Sequence, residues 1–156
     1  MNWIQILSPP LLMVLGGLIT WLIKSKIEEL RLTEEKLREE RRKIYAQILD
    51  PYIRLFADLK GQGPAQALKK VASYDYRKTA FNLNLFGSDD VVHAYNNLMG
   101  HMYKAEAAGK QDPQEMMRLW GGLLLEIRRS LGNKKTQLTE FDMLRAMISD
   151  IEKLEK

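Results

Sequence analysis

The pattern of polar and apolar residues divides the chain into an uncharged start and a charged remainder. No side chain in residues 3–23 is charged, and the polar interruptions of this run are Gln5, Ser8 and Thr20. The first charged side chain is Lys24, and all the others follow it. Because about 20 mostly apolar residues suffice for a helix to cross a bilayer, the run predicts a single transmembrane helix that anchors the protein.

Two tryptophans and two prolines add detail to this predicted anchor. Trp3 and Trp21 lie 18 residues apart, which is about 27 Å along a helix, so both indoles can reach a membrane interface. Pro9 and Pro10 are typical of a helix start, and residues 2–7 then either complete the span as a kinked segment or lie along the outer interface. The alternatives are an amphipathic surface segment and a cleaved signal peptide, although a signal peptide would need a basic start and a small-residue cleavage site.

Basic residues directly after the run set the orientation of the predicted span. Lys24, Lys26 and Arg31 follow it, whereas only the terminal amine precedes it. Since Lys and Arg concentrate on the cytoplasmic side of membrane proteins, the sequence predicts an N-terminus outside and a cytoplasmic C-terminal part.

A charged stem comes next. Residues 33–43, which read TEEKLREERRK, contain nine charged side chains in eleven positions. Opposite charges at i,i+4, such as Glu34 with Arg38, stabilise a helix that has no core to pack against. An apolar residue recurs at every seventh position over three heptads from Ile23, but charged residues interrupt the rest of the seam. We therefore expect a solvated helical stem at residues 24–50 rather than a strong coiled coil.

Proline and glycine positions divide the remainder of the chain into shorter helices. Three prolines follow a capping or flexible residue, which is typical of helix starts; the pairs are Asp50-Pro51, Gly63-Pro64 and Asp112-Pro113. Gly87 ends one predicted helix, and Ser88 caps the next. The predicted helices span residues 51–60, 64–86 with a candidate break at SYDYR, 89–107, 113–131 and 140–155.

No alternating strand pattern occurs, so the sequence predicts an all-α protein. Its predicted parts are a transmembrane anchor at residues 1–23, the charged stem at 24–50 and a compact cytoplasmic helical bundle at 51–156.

Residues that could carry catalysis or bind a metal are scarce. The chain has no cysteine and two histidines, His93 and His101, with no carboxylate three or four residues after either; such spacing is what a helical metal site needs. No phosphate-binding, dinucleotide-binding, nucleophile-elbow or zinc-protease motif occurs. We therefore expect no catalytic residue, no metal site and no cofactor.

Two groups of residues in the bundle are candidates for a ligand or partner surface. Gly121 and Gly122 follow Trp120 inside an apolar helix, where a glycine costs about 1 kcal/mol relative to alanine. Close packing of another helix, or a ligand pocket beside Trp120, would offset that cost. A basic group surrounds the predicted end of the same helix; its members are Arg128, Arg129, Lys134 and Lys135.

The basic group has two interpretations. Cations at a helix C-terminus stabilise the helix dipole, and the same cations can bind phosphate or acidic groups of a partner. Residues 44–156 carry a net charge of only +2. Because a dedicated nucleic-acid binder is normally more basic, nucleic acid is not an expected partner.

Together these patterns favour a non-enzymatic membrane protein whose cytoplasmic helical bundle recruits or scaffolds a protein partner at the lipid bilayer. The alternative is a homo-oligomeric membrane effector or pore whose spans associate through Gly16 and Thr20, two small residues four positions apart. A third hypothesis is an enzyme whose site is assembled from scattered residues around Trp120, His93 or His101.

Overall fold

The computed structural model describes the chain at residues 3–57, 61–109, 112–148 and 151; the side chains of residues 3–12 and 64 lie outside this description. The described part contains helices and turns and no strand. The helices are α1 (Trp3–Ala57), α2 (Gly63–Val71), α3 (Tyr74–Phe86), α4 (Asp89–Ala108) and α5 (Pro113–Ser130). The prediction of an all-helical protein is confirmed.

The chain divides into two compact units, Met1–Glu39 and Glu40–Lys156. Within the ranges that the structure describes, no helix is both long enough and apolar enough to cross a membrane. Three residues of the predicted anchor, Trp3, Pro9 and Pro10, have side chains outside the described part. The anchor therefore stays a prediction.

In the first unit, α1 exposes its apolar side chains. The large apolar residues from Met13 to Ile23 are between 48% and 78% exposed; they are Met13, Val14, Leu15, Leu18, Ile19, Trp21, Leu22 and Ile23. A side chain added at Gly16 or Gly17 would meet no atom within 4 Å. The Thr20 hydroxyl donates a 2.8 Å hydrogen bond to the Gly16 carbonyl of the same helix, so it is satisfied without a partner chain.

The second unit has a hydrophobic core to which the last part of α1 contributes. Ile44, Tyr45, Ile48 and Tyr52 are buried, and their spacing places them on one face of the helix. Residues of α3, α4 and α5 complete the core; its most deeply buried members there are Leu83, Val91, Leu98 and Leu123. α4 packs along α5. The core thus starts within the predicted stem, several residues before Pro51.

One predicted helix start is absent, because α1 continues through Asp50 and Pro51 to Ala57. A proline inside a helix removes one backbone hydrogen bond and costs about 3 kcal/mol. Pro51 is itself fully buried between the core residues Ile48 and Tyr52, and we attribute the continuity of the helix to this packing. Asp50 does not cap a new helix; its carboxylate accepts a 3.0 Å hydrogen bond from Arg54.

The helix starts predicted at the other two prolines and at Asp89 are observed. α2 begins at Gly63, and α5 begins at Pro113, where the Asp112 carboxylate caps the helix by accepting a 3.1 Å hydrogen bond from the Glu115 amide. The break at SYDYR is also present, because the Ser73 hydroxyl accepts a hydrogen bond from the Tyr76 amide and starts α3. Side-chain caps therefore mark the starts of α3 and α5, whereas α2 and α4 begin without a capping hydrogen bond from a side chain.

The predicted helix at residues 140–155 differs most from the structure. Residues 140–147 form successive turns, and Leu144 and Met147 donate backbone hydrogen bonds three residues back rather than four. Leu144 and Ile151 are nevertheless fully buried. Met143 and Ile148 donate to carbonyls four residues back, so the segment mixes the two hydrogen-bond patterns and does not form the regular α-helix that was predicted.

Candidate interaction surfaces

Trp120 and the glycines after it lie in the interior of the second unit. Trp120 is 3% exposed, and its ring packs against that of Tyr52 with centroids 4.2 Å apart. A Cβ built on Gly121 would collide with the carbonyl oxygen of Glu140 and lie 2.7 Å from its carbonyl carbon. A Cβ on Gly122 would be 3.8 Å from the Glu140 side chain, an ordinary contact. Gly121 therefore permits close packing of the turn at Glu140 rather than of another helix.

The interior around Trp120 is rich in tyrosine hydroxyls. The Tyr52 hydroxyl donates to the sulfur of Met99 at 3.6 Å, and the Tyr95 hydroxyl donates to that of Tyr76 at 3.5 Å. Burial raises the pKa of Tyr52 to about 12, and it also raises the pKa values of Tyr76 and Tyr95. These phenols remain protonated at neutral pH, so they act as buried hydrogen-bonding groups and not as bases.

The two histidines and the carboxylates do not converge. His93 is exposed on α4, and His101 is half-buried with no hydrogen-bond partner for its Nε2 atom among the described residues. Throughout the ranges that the structure describes, no group of three or more His, Cys, Asp or Glu side chains could hold a metal ion.

Part of the predicted basic group lines a cleft. Arg129 and Lys134 lie there at the end of α5, opposite Ser88 and Asp90 at the start of α4, with Arg41 of α1. The cleft encloses about 490 Å³; its remaining lining residues are Glu126 and Ser130. We call this site the basic cleft.

Hydrogen bonds fix the walls of the basic cleft. Arg41 Nε donates to the carbonyl of Phe86, the last residue of α3, at 2.7 Å. The Tyr45 hydroxyl lies 2.9 Å from Ser130 Oγ and accepts a 3.2 Å hydrogen bond from the Ser88 amide. One buried phenol of α1 thus contacts both the end of α5 and the residue that precedes α4.

The charges of the basic cleft favour an acidic ligand. Its three cations exceed its two carboxylates, and Arg129 is paired with Glu126. Ser88 Oγ is buried with no hydrogen-bond partner among the described residues, although Ser88 sits at the N-cap of α4. The cleft therefore combines a small excess of positive charge with an unused hydroxyl.

The other two predicted cations lie outside this cleft. Arg128 donates a 3.2 Å hydrogen bond to Thr136 Oγ1, which ties the loop after α5 to the helix. Lys135 lines a separate shallow depression with Lys134, Gly132 and Asn133. Arg41 and Ser88 were not predicted as part of this site, because only the folding of α1 and α4 against α5 brings them together with Arg129.

An apolar groove on the same unit was not predicted at all. It encloses about 590 Å³ between α2, α3 and α4. Leu68, Phe81 and Tyr103 line it with exposed side chains, and Arg77 and Glu106 are its charged residues. Spacing along α3 could have indicated it, because apolar residues occur on both the inner and the outer face of that helix.

The predicted juxtamembrane cations are all exposed on α1. Lys26 forms a 2.7 Å ion pair with Glu29, one turn along the helix, and Lys24 and Arg31 are exposed beside it. Trp21 of the predicted anchor is 65% exposed. Comparison of the chain with protein-family models, with curated proteins and with solved structures finds no significant match.

Proposed function

We propose that this protein is a single-pass membrane protein, anchored through residues 1–23, whose second unit recruits a protein partner at the cytoplasmic face. The observation that carries the proposal is the exposure of every large apolar side chain from Met13 to Ile23. A helix that is apolar on all sides needs an apolar environment around it, which a bilayer provides. The uncharged sequence before Met13 extends this run toward the length of a span.

The proposed orientation rests on charge. Lys24, Lys26 and Arg31 are exposed directly after the apolar run, and no charged side chain precedes it. Under the positive-inside rule, this distribution supports a cytoplasmic location of the second unit.

The basic cleft is the proposed site of recruitment. Its excess of positive charge suits a partner that presents Asp or Glu side chains, and its fixed walls limit the cost of ordering on binding. Charge complementarity of this kind contributes mainly to the rate and specificity of association.

Extraction of membranes at alkaline pH tests the anchor. We expect the full-length protein to stay in the pellet, and a Leu18→Arg, Leu22→Arg variant to move to the supernatant. An arginine within a span is unfavourable, by about 2.5–3.5 kcal/mol at its centre and by less toward its ends. Leu30→Arg is the matched control, because Leu30 is also well exposed on α1 but lies after Lys24. Release of the unmodified protein from the pellet would contradict the proposal.

A pull-down of the full-length protein from gently solubilised membranes, analysed by mass spectrometry, tests recruitment. We expect a stoichiometric partner that Lys134→Glu loses by reversing one charge of the basic cleft. Lys104→Glu reverses an exposed charge on α4 and should retain it. A partner held equally by both variants would exclude the basic cleft as its binding site.

Homo-oligomeric assembly is the second candidate function, favoured by the open surface around Gly16 and Gly17. Two helices can approach closely along such small residues in a bilayer. An intact complex that contains only copies of this chain, together with leakage from dye-loaded liposomes, would support this function. Correctly inserted oligomers that cause no leakage would exclude a pore.

A further inference from the structure

The outer face of α3 carries apolar side chains that project into solvent. Tyr74, Phe81 and Leu85 fall within an arc of about 40° at the angular spacing of an α-helix. Leu68 of α2 lies beside Phe81 in the wall of the apolar groove. These four side chains are between 60% and 78% exposed, which is unusually high for large apolar residues that share one surface. We call them the α3 ridge.

Positive charge surrounds the α3 ridge. Residues 63–86 contain four cations and one carboxylate, a net charge of +3, whereas the rest of the second unit, residues 40–62 and 87–156, has a net charge of +1. Arg77 lines the apolar groove on one side of α3, and Lys78 lines a second cavity on the other side. The charge of the second unit is therefore concentrated on the helices that carry the exposed apolar side chains.

We infer that the α3 ridge is a docking surface for an anionic phospholipid membrane. Apolar side chains flanked by Lys and Arg are the pattern of helices that lie in the membrane interface, where the apolar groups enter the acyl boundary and the cations contact lipid phosphates. The long aliphatic stems of Arg77 and Lys78 let their charged ends reach the headgroups while Phe81 and Leu85 penetrate.

The shape of the surface favours a membrane over a protein partner. The ridge consists of the most exposed apolar side chains on α2 and α3, which project from the helices rather than line a deep pocket. The acidic residue in the wall of the apolar groove is Glu106 of α4, and Asp75 of α3 lines the second cavity with Lys78. A lipid surface accommodates projecting side chains without a complementary shape, whereas a protein interface needs close packing around them.

This inference goes beyond the proposed function and does not depend on it. A membrane anchor would only raise the local concentration of the α3 ridge near lipid. The ridge would bind anionic vesicles whether or not residues 1–23 cross the bilayer.

Site-specific labelling of the full-length protein tests the inference, because the chain has no cysteine of its own. An environment-sensitive dye is attached at Asn84→Cys, an exposed position in the wall of the apolar groove, and the protein is mixed with vesicles of phosphatidylcholine alone or with added phosphatidylserine. We expect a blue shift and a rise in emission only with phosphatidylserine. The same dye at Asn97→Cys, on the side of α4 turned away from the groove, should not respond.

Charge variants identify which cations act. Arg77→Gln with Lys78→Gln should weaken the lipid-bound state about fivefold per neutralised cation. Lys104→Gln with Lys135→Gln makes the same change in net charge at exposed positions outside the α3 ridge and should leave the response unchanged. Phe81→Ser, checked for folding by circular dichroism, should also reduce the response.

Three outcomes would overturn the inference. They are no response with phosphatidylserine, an equal response with both vesicles, and a response that grows with protein density on neutral vesicles. The last outcome would identify the α3 ridge as a contact between copies of this chain. Co-flotation of the unlabelled protein with neutral vesicles reports on the anchor separately, so failure of the anchor and failure of the ridge are distinguishable.

Discussion

Two stretches of α1 carry similar apolar residues, which are exposed in one stretch and buried in the other. In the first unit, Ile23, Leu30 and Leu37 recur every seven residues and are all exposed. In the second unit, Ile44 continues the same series and is buried. Apolar spacing alone therefore does not say whether a helix packs against its own chain, because the decisive contribution comes from the segments that fold against it.

The neighbouring residues explain the difference. From Ile44 on, α1 also places Tyr45 and Ile48 on the buried face, and the hydroxyl of Tyr45 is bonded to Ser130. Between residues 24 and 43 charged residues occupy most positions around each apolar one. A narrow apolar stripe in such a setting is too small to form a core, whereas from Ile44 on the adjacent large side chains pack with buried residues of α3, α4 and α5.

Truncating one apolar residue in each unit should give the largest difference in the free energy of unfolding. Leu123 is fully buried, so Leu123→Ala should lower the free energy of unfolding of the second unit by about 2–5 kcal/mol through loss of contacts and a new cavity. Denaturation of the full-length protein in a neutral detergent, followed by near-ultraviolet circular dichroism, measures this loss.

Leu22→Ala is the control for this experiment. Leu22 is 48% exposed, and its truncation should change the same transition by less than about 0.5 kcal/mol. A loss as large as that of Leu123→Ala would mean that the first unit also has a core.

Adding one methyl group to a glycine should also change the unfolding transition to different extents in the two units. Gly121→Ala should destabilise the second unit by about 1–3 kcal/mol, because the added Cβ collides with backbone atoms of Glu140. Gly16→Ala adds the same group to open space and should leave the transition unchanged. Equal effects of the two substitutions would show that Glu140 does not lie against Gly121.

Alkaline pH should lower the stability of the second unit alone, and this effect should be the smallest of the three. All six tyrosines lie after residue 39. Because the pKa of Tyr52 is raised from 10.0 to about 12 in the folded protein, the folded state binds more protons between these values. Stability that is complete below pH 10 is then lost as the pH rises through this window.

Tyr52→Phe measures this contribution. It should reduce the loss of stability between pH 9 and pH 10.5 by roughly 1 kcal/mol or less, while the stability at pH 7 changes little. Tyr103→Phe removes an exposed phenol and serves as the control. An unchanged alkaline loss in Tyr52→Phe would assign the effect to the other buried tyrosines.

The sequence was sufficient to predict the helical class and most helix starts. Asp112 with Glu115, and Ser73 at the start of α3, are local patterns whose chemistry acts within one turn, so no knowledge of the rest of the fold is needed. Pro51 failed as a start because its burial between Ile48 and Tyr52 is a tertiary effect.

Residues 139–147 also show that a local sequence pattern does not determine the structure that follows it. Thr139 and Asp142 form a capping contact, with the Asp142 carboxylate accepting from the Thr139 amide at 2.8 Å. Residues 140–147 nevertheless form turns rather than a regular α-helix. A cap specifies where a helix can begin, whereas the backbone contact between Gly121 and Glu140 constrains the conformation of the segment after the cap.

The candidate surfaces were predicted only where their residues are close in sequence. Arg129 and Lys134 could be grouped because they flank one helix end, but Arg41 and Ser88 join them only through tertiary packing. For Trp120 the sequence left open a closely packed interior or a ligand pocket, and the structure places the side chain in the interior. Sequence proximity therefore identified two of the three cations of the basic cleft.

The contact between Gly121 and Glu140 has a consequence for sequence variation. The loop at residues 131–139 must place the backbone of Glu140 against Gly121 of α5, where no side chain fits. Its length is therefore constrained more tightly than its composition. Among variants of this protein, substitutions within the loop should be common, while insertions and deletions there should be rare.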